Sequence, residues 1–297
     1  MALKFPGTKQ DTFEKVFSKI LYVSDFYEIK HWSYDFILNQ QDKAGFNDCL
    51  CLVYIQKGNF LFDLSRKAHE MHSGYILLEK QNYEYNMRPS AGACTIFNFT
   101  NDFYQQFLMG LNLEHSFFFS NPNLISLVLQ SDPATDYLHH QILQQFNVAS
   151  KLEMDHLVLD FFSQVARTIN NLPPEDESSF ILPTNGLNAV ELAREYIHKN
   201  FIHDISLQEL SSNCYVSPFH FSRVFKKITA YSPHQYLQQV RLKHGEMLLK
   251  NSSMPIAAVA YACGFSSPAY FATAFKQRYK LNPAQYNTVP DLVYTAV

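Results

Sequence analysis

The sequence predicts an α+β protein in two parts, an N-terminal β-barrel or sandwich with covering helices and an all-helical C-terminal domain. Three observations lead there: a linker-like composition at 172–186, a partition of charge across it, and a duplicated helical unit beyond it. The chain has 297 residues, 47% hydrophobic and 17% charged, which suits two folded domains and excludes a mainly disordered chain. Leu172-Pro173-Pro174-Glu175-Asp176-Glu177-Ser178-Ser179, followed by Pro183 and Gly186, disfavours regular structure. The expected division is therefore 1–172, a linker at 173–186, and 187–289. Residues 1–186 hold 13 Lys+Arg against 21 Asp+Glu, a balance of −8, whereas 187–289 hold 11 against five, a balance of +6. Such asymmetry directs the C-terminal third toward a polyanion.

In the N-terminal part, short β-rich runs alternate with turn residues. Cys49–Ile55 and Phe60–Leu64 flank Gln56-Lys57-Gly58-Asn59, and Tyr75–Glu79, Tyr83–Met87 and Cys94–Phe99 follow. Several short strands with regular turn signals predict a sandwich or small barrel, and Tyr22 to Leu38 adds one or two strands. A small barrel of this kind can enclose a ligand. The aromatic residues Tyr54, Phe60, Phe62, Tyr83, Tyr85, Phe97 and Phe99 crowd these strands, mostly as core; which parity faces inward stays open. After Asn101 the period becomes helical: Phe103/Phe107/Leu111, Leu138/Ile142/Phe146 and Leu157/Phe161/Val165/Ile169 recur at every fourth residue. These amphipathic helices either cover the barrel or supply a dimer seam, and the stripe from Leu157 to Ile169 is expected in a homodimer interface.

Several chemistries are disfavoured. No apolar run approaches the ~18 residues of a membrane span. Met1-Ala2-Leu3-Lys4-Phe5-Pro6 lacks a signal peptide's apolar core, so a cytoplasmic location is expected. Five cysteines without a CxxC pair read as reduced thiols. His69 and His72 stand three apart in a stretch that reads as an exposed loop, and a strand site would prefer alternate residues. Cys49 and Cys51 share a strand face but make a poor zinc site alone. No metal or cofactor is expected, and no phosphate loop, nucleophile elbow or HExxH motif occurs.

The strongest signal is internal. Ser217-Pro218-Phe219-His220-Phe221-Ser222-Arg223-Val224-Phe225-Lys226 precedes Ser267-Pro268-Ala269-Tyr270-Phe271-Ala272-Thr273-Ala274-Phe275-Lys276 by 50 positions, and the register runs on to Tyr236 and Tyr286. Eight of those 20 positions are identical, where unrelated segments match at about one. Ser217 and Ser267 are N-caps with proline at the first helical position. Phe221/Phe225 and Phe271/Phe275 bury one face of each helix. A shorter helix precedes each, across the turns Asn213–Val216 and Cys263–Ser266, which gives two helix-turn-helix units joined by a long helix from Ser232 to Lys250. Two recognition helices about one DNA turn apart, ~34 Å, can enter successive major grooves.

With Ser217-Pro-x-x-Phe-x-Arg-x-Phe-Lys-Lys227, Ser232-Pro-x-x-Tyr-Leu237, Arg241-Leu242 and Gly264-Phe-x-Ser-x-x-Tyr-Phe-x-x-x-Phe-Lys276 in place, residues 187–289 resemble the DNA-binding domain of AraC/XylS transcription regulators. The N-terminal part resembles, on strand spacing and Gly58 and Gly74, their cupin-like ligand-binding domain. The resemblance implies promoter DNA as partner and often a small-molecule effector, with room for RNA polymerase. It places Phe219, Ser222 and Arg223 on the groove side of the first recognition helix, and Ala269, Tyr270 and Thr273 on that of the second. Arg223 suits bidentate pairing with guanine, its competing roles being a phosphate contact or an intradomain salt bridge. Lys226, Lys227 and Lys276 suit phosphates, and Ser217 and Ser267 complete the DNA-facing set. Thr273 stands where arginine is frequent, Lys280 where glycine is usual, and Asn287 where a terminal arginine is common, so the first motif is expected to dominate specificity. Glu84 or Tyr85 stands where metal-binding cupins offer histidine. The competing functions are a cupin-type enzyme tethered to a DNA-binding module, and a regulator whose N-terminal domain only dimerises.

Overall fold

The computed structural model describes residues 16–34, 43–64, 67–81, 83–110, 116–122, 124–171 and 186–288. The linker expected at 173–186 lies outside them apart from Gly186. The chain divides into two compact units, one of residues 1–131 with 145–182, the other of 132–144 with 183–297. The sequence boundary at 172 places 132–144 with the N-terminal domain. The structure groups that segment with the C-terminal helices.

The first unit is built on β1 (Val16–Val23), β2 (Tyr27–Tyr34), β3 (Lys43–Asn47), β4 (Leu50–Leu64), β5 (Lys67–His72), β6 (Tyr75–Glu79), β7 (Tyr83–Phe99) and β8 (Ser126–Gln130). They form one sheet in the order β1-β2-β7-β4-β6-β8, with β3 added to β7 and β5 to β4. The long β4/β7 ladder shifts register between Ile55 and Lys57 and between Gly58 and Phe60. Bulges bend a strand pair. Past the bend β4 exchanges β6 for β5, and β7 exchanges β2 for β3. No ladder joins β1 to β8 among the described residues, so the sheet is open rather than a closed barrel. Closure depends on strand number, tilt and stagger together, which local alternation does not encode. His72 corrects another expectation: it is buried in β5, because Lys67–His72 pairs with Asn59–Leu64 instead of looping out. The side chain of His69 lies outside the described residues.

The pleat resolves which way Tyr54, Phe60, Phe97 and Phe99 face, while the side chains of Phe62, Tyr83 and Tyr85 lie outside the described residues. Ile55, Phe60, Met71, Tyr75, Leu77 and Cys94 form a core on one face. The other face carries Tyr54, Phe97 and Phe99 against the helices α1 (Asn101–Gly110) and α4 (Lys151–Asn170). Phe161 lies 5.0 Å from Phe97 and 6.4 Å from Tyr54, ring centre to ring centre, and Phe162 lies 4.8 Å from Phe99. Helix α4 opens on a capping box of Ser150 and Glu153. Its Asp155 accepts hydrogen bonds from Tyr27 Oη at 2.7 Å and Ser24 Oγ at 3.1 Å. Leu157, Phe161, Val165 and Ile169 are all buried within the chain. The stripe expected at a homodimer interface is thus the helix's own seat on the sheet. Helix α2 (Phe117–Ser120) is a single turn.

The second unit contains α3 (Pro133–Gln145), α5 (Leu187–Asn200), α6 (Leu207–Asn213), α7 (Pro218–Thr229), α8 (Pro233–Asn251), α9 (Ile256–Ala262), α10 (Pro268–Tyr279) and α11 (Pro283–Thr288). Val190, Ile197, Phe201, Leu210, Phe221, Phe225, Tyr236 and Val240 make one core. Leu242, Leu249, Val259, Phe265, Phe271 and Phe275 make the second. Helix α8 contributes to both, the joining role expected of Ser232 to Lys250. Ala230 and Lys280, 50 positions apart, both end recognition helices in the left-handed region, with φ 63° and 64°. The position where glycine is usual therefore keeps the glycine-like conformation.

Candidate nucleic-acid interface

Each half of the duplicated unit is a capped helix pair. Ser217 Oγ accepts from the backbone N–H of His220, and Ser267 Oγ accepts from that of Tyr270. Ser206 and Ser232 form capping boxes with Glu209 and Gln235. Phe221 and Phe225, and Phe271 and Phe275, turn inward as their spacing requires. The turns before the recognition helices share a hydrogen bond, Val216 N–H to Ser211 O in one and Phe265 N–H to Ala260 O in the other. Tyr215 (φ 57°) and Gly264 (φ 78°) hold the left-handed position in them. From these residues to the N-caps Ser217 and Ser267 the second turn is one residue longer.

Gly264 is required there for a second reason. A Cβ on it would sit 2.6 Å from the carbonyl oxygen of Ile202, a backbone atom. Gly264→Ala is expected to destabilise the second unit by about 2–3 kcal/mol, from left-handed strain and this close approach together. Urea unfolding followed by circular dichroism measures it.

Of the residues expected on the groove side, all but Ser222 are exposed. Phe219 on α7 is 74% exposed, and Arg223, Lys226 and Lys227 stand free on the same helix. The guanidinium of Arg223 lies over the Phe219 ring at 5.7 Å, and Ser222 is half-buried beside them. On α10, Ala269, Tyr270, Thr273 and Lys276 are exposed. The Tyr270 hydroxyl accepts from Gln238 Nε2 at 3.0 Å, and Thr273 Oγ1 donates to Ala269 O at 3.0 Å. Both side chains on the second helix are thereby held by their own domain, whereas Arg223, among the described residues, lies against the Phe219 ring.

The fate of the basic residues separates structural from available charge. Arg194 pairs with Asp136, Lys199 with Glu195, Lys243 and Lys250 with Glu246, and Arg278 with Asp132. Arg241 donates to the carbonyls of Phe201 and His203 at 2.7 and 2.8 Å. Among the described residues, Arg223, Lys226, Lys227, Lys276 and Lys280 have no carboxylate partner. All five lie on α7 and at α10. The intradomain salt bridge weighed for Arg223 is absent among the described residues.

Two exposed aromatics escaped the sequence reading, Tyr215 at 96% and Tyr261 at 59% exposure, on the turn before α7 and on α9. Phe219, equally apolar, was placed by the motif. Tyr215 could have been found only from its turn position, since its residue type suggests core.

Together these features define a double helix-turn-helix domain with its free cations gathered on the recognition helices. Residues 210–288 match the helix-turn-helix domain family. The chain is 34% identical over 106 residues to the bifunctional transcriptional activator/DNA repair enzyme AdaA of Bacillus subtilis, covering 36% of this chain and 50% of that protein. It is 21% identical over 253 residues to the uncharacterised helix-turn-helix-type regulator YdeC of the same species, covering 81% of this chain and 84% of that one. The C-terminal domain of the response regulator yesN from Fusobacterium nucleatum shares 31% identity, covering 34% of this chain and 98% of that chain, with a TM-score of 0.33. The chain spans between 34% and 50% of the length of the first curated relatives it matches. The C-terminal unit is a helix-turn-helix domain of the AraC type.

Among the described residues no group of three or more His, Cys, Asp or Glu could hold a metal ion, and no helix is long and apolar enough to cross a membrane.

Proposed function

We propose that the chain is a sequence-specific regulator of transcription that binds double-stranded promoter DNA through α7 and α10. The concentration of unpaired cations on those two helices, against a domain whose other basic residues are spent internally, carries the reading. Arg223 reads a base, with Phe219 holding its guanidinium plane, while Lys226, Lys227 and Lys276 neutralise phosphates. Ser217, Ser222, Ser267, Ala269, Tyr270 and Thr273 make the remaining contacts, and the tethered tyrosine and threonine suit positioning more than reading.

The sheet unit, in this reading, is the cupin-like regulatory half. A cavity of about 260 Å³ lined by Leu50, Lys80, Gln81, Asn101 and Tyr104 offers room for a small effector. Lys80 Nζ is anchored there by the carbonyls of Phe118 and Asn121, each at 2.7 Å. Homodimerisation would bring two helix-turn-helix domains to one operator and raise their effective concentration.

Binding measured against salt tests the assignment. Lys276→Ala is expected to weaken all sequences alike and to reduce the slope of log K against log salt by ~1. An unchanged slope would remove Lys276 from the phosphate contacts, and salt-independent binding by the wild type would contradict the DNA reading.

A further inference from the structure

The two helix-turn-helix units share a tyrosine, buried at Tyr236 and half-buried at Tyr286, whose carboxylate partner comes from different places. Tyr286 stands edge-on to Phe275 of α10, centroids 5.3 Å apart, and its hydroxyl donates to Glu246 Oε1 at 2.5 Å. Tyr236, its counterpart 50 positions earlier, stands edge-on to Phe225 of α7 at 5.4 Å, and its hydroxyl donates to Asp136 Oδ2 at 2.5 Å. Glu246 belongs to the second unit's own helix α8. Asp136 belongs to α3, in the N-terminal stretch of sequence, and the position matching Glu246 in the first copy is Tyr196.

The borrowed carboxylate is well held. Arg194 on α5 forms an ion pair with Asp136, with both side chains buried, and its Nε donates to the Tyr236 hydroxyl at 3.3 Å. His198 Nε2 lies 3.0 Å from the same hydroxyl. Beside it, Tyr137 of α3 enters the core that holds Phe221 and Phe225, and its hydroxyl lies 2.6 Å from His244 Nδ1 on α8. Without α3 the Arg194 charge and the Tyr236 hydroxyl would lose the Asp136 carboxylate in the interior, which carries a cost. Yet the chain enters α3 from β8 and leaves it toward α4, both parts of the sheet unit.

We infer that α3 completes the first helix-turn-helix unit by lending it Asp136, so that docking of α3 sets the DNA affinity of α7 and couples it to the sheet unit. This rests on the DNA-binding reading of α7. Asp136 acts as a positioning residue, through Tyr236 and Phe225, and touches no DNA. Coupling is reciprocal: if docking of α3 favours DNA binding by some factor, DNA favours docking by the same factor.

The full chain and a selected operator duplex provide the test. Asp136→Asn is expected to weaken operator binding at least tenfold and, without DNA, to speed hydrogen exchange in α3 and α8 while leaving the β4/β7 ladder unchanged. In the wild type, saturating operator is expected to slow exchange of the α3 amides at least tenfold, which a merely structural role would not produce. Should Asp136→Asn fail to fold, Tyr137→Phe, which deletes only the hydroxyl beside His244, carries the test with an expected loss of at least threefold. Operator affinity within twofold of wild type in the folded variant, or α3 exchange indifferent to DNA, overturns the coupling. A wild type that binds no duplex overturns it as well, through the DNA-binding reading, and the DNA-free exchange arm distinguishes that failure from an undocked α3.

Discussion

Phe161→Asp is expected to unfold the N-terminal unit outright. Phe161 is fully buried on α4, its ring tilted against those of Phe97 and Tyr54 of the sheet. Truncating such a ring costs about 3–5 kcal/mol, and placing a carboxylate there without a partner adds several more. The sum rivals the whole stability of a domain, about 5–15 kcal/mol. Near-ultraviolet circular dichroism of the purified variant reads the loss directly. A folded monomeric variant from a dimeric wild type would instead restore the intermolecular role that the sequence suggested for this stripe.

Glu246→Ala is expected to cost about 3–5 kcal/mol in the C-terminal unit, the range for breaking a buried ion pair from one side. The carboxylate is 1% exposed and receives Lys243 Nζ at 2.8 Å, Tyr286 Oη at 2.5 Å and Tyr279 Oη at 3.2 Å. Burial pushes its pKa up, but the Lys243 and Lys250 charges and the hydrogen bonds from Lys243 and Tyr286 overcome this and hold it well below the usual carboxylate range. A depressed folded-state pKa stabilises the fold above the unfolded value, about 4.3, and that contribution fades as pH falls from there toward the folded value. Wild-type stability is thus expected to fall in acid below about pH 4.3, and Glu246→Ala to lack that component. Urea midpoints across pH measure both.

What could be read from the sequence was local or repeated. Ser217 and Ser267 announced their helices through capping chemistry, and Phe221, Phe225, Phe271 and Phe275 announced the buried faces through spacing. The duplication fixed the pairing of the two halves, and the motif placed Phe219 and Arg223 outward. What stayed hidden depended on distance along the chain. Leu138 and Ile142 mark α3 as amphipathic but do not say which core receives it. The partners of Asp136 and Tyr137, at Tyr236 and His244, stand 100 and 107 residues away. For the same reason the α4 stripe could not reveal whether it faced a sheet or a second copy. The open edge of the sheet likewise follows from long-range register.

The roles given to α7 and α10 turn on Arg223. Competition binding of wild type and Arg223→Ala against operators varied one base pair at a time measures that role most directly. The expected result is a loss of ~1–3 kcal/mol on the best site and a flattened preference at one base pair, with the others unchanged. An equal loss on every variant would make Arg223 a phosphate contact and contradict base reading by the first helix.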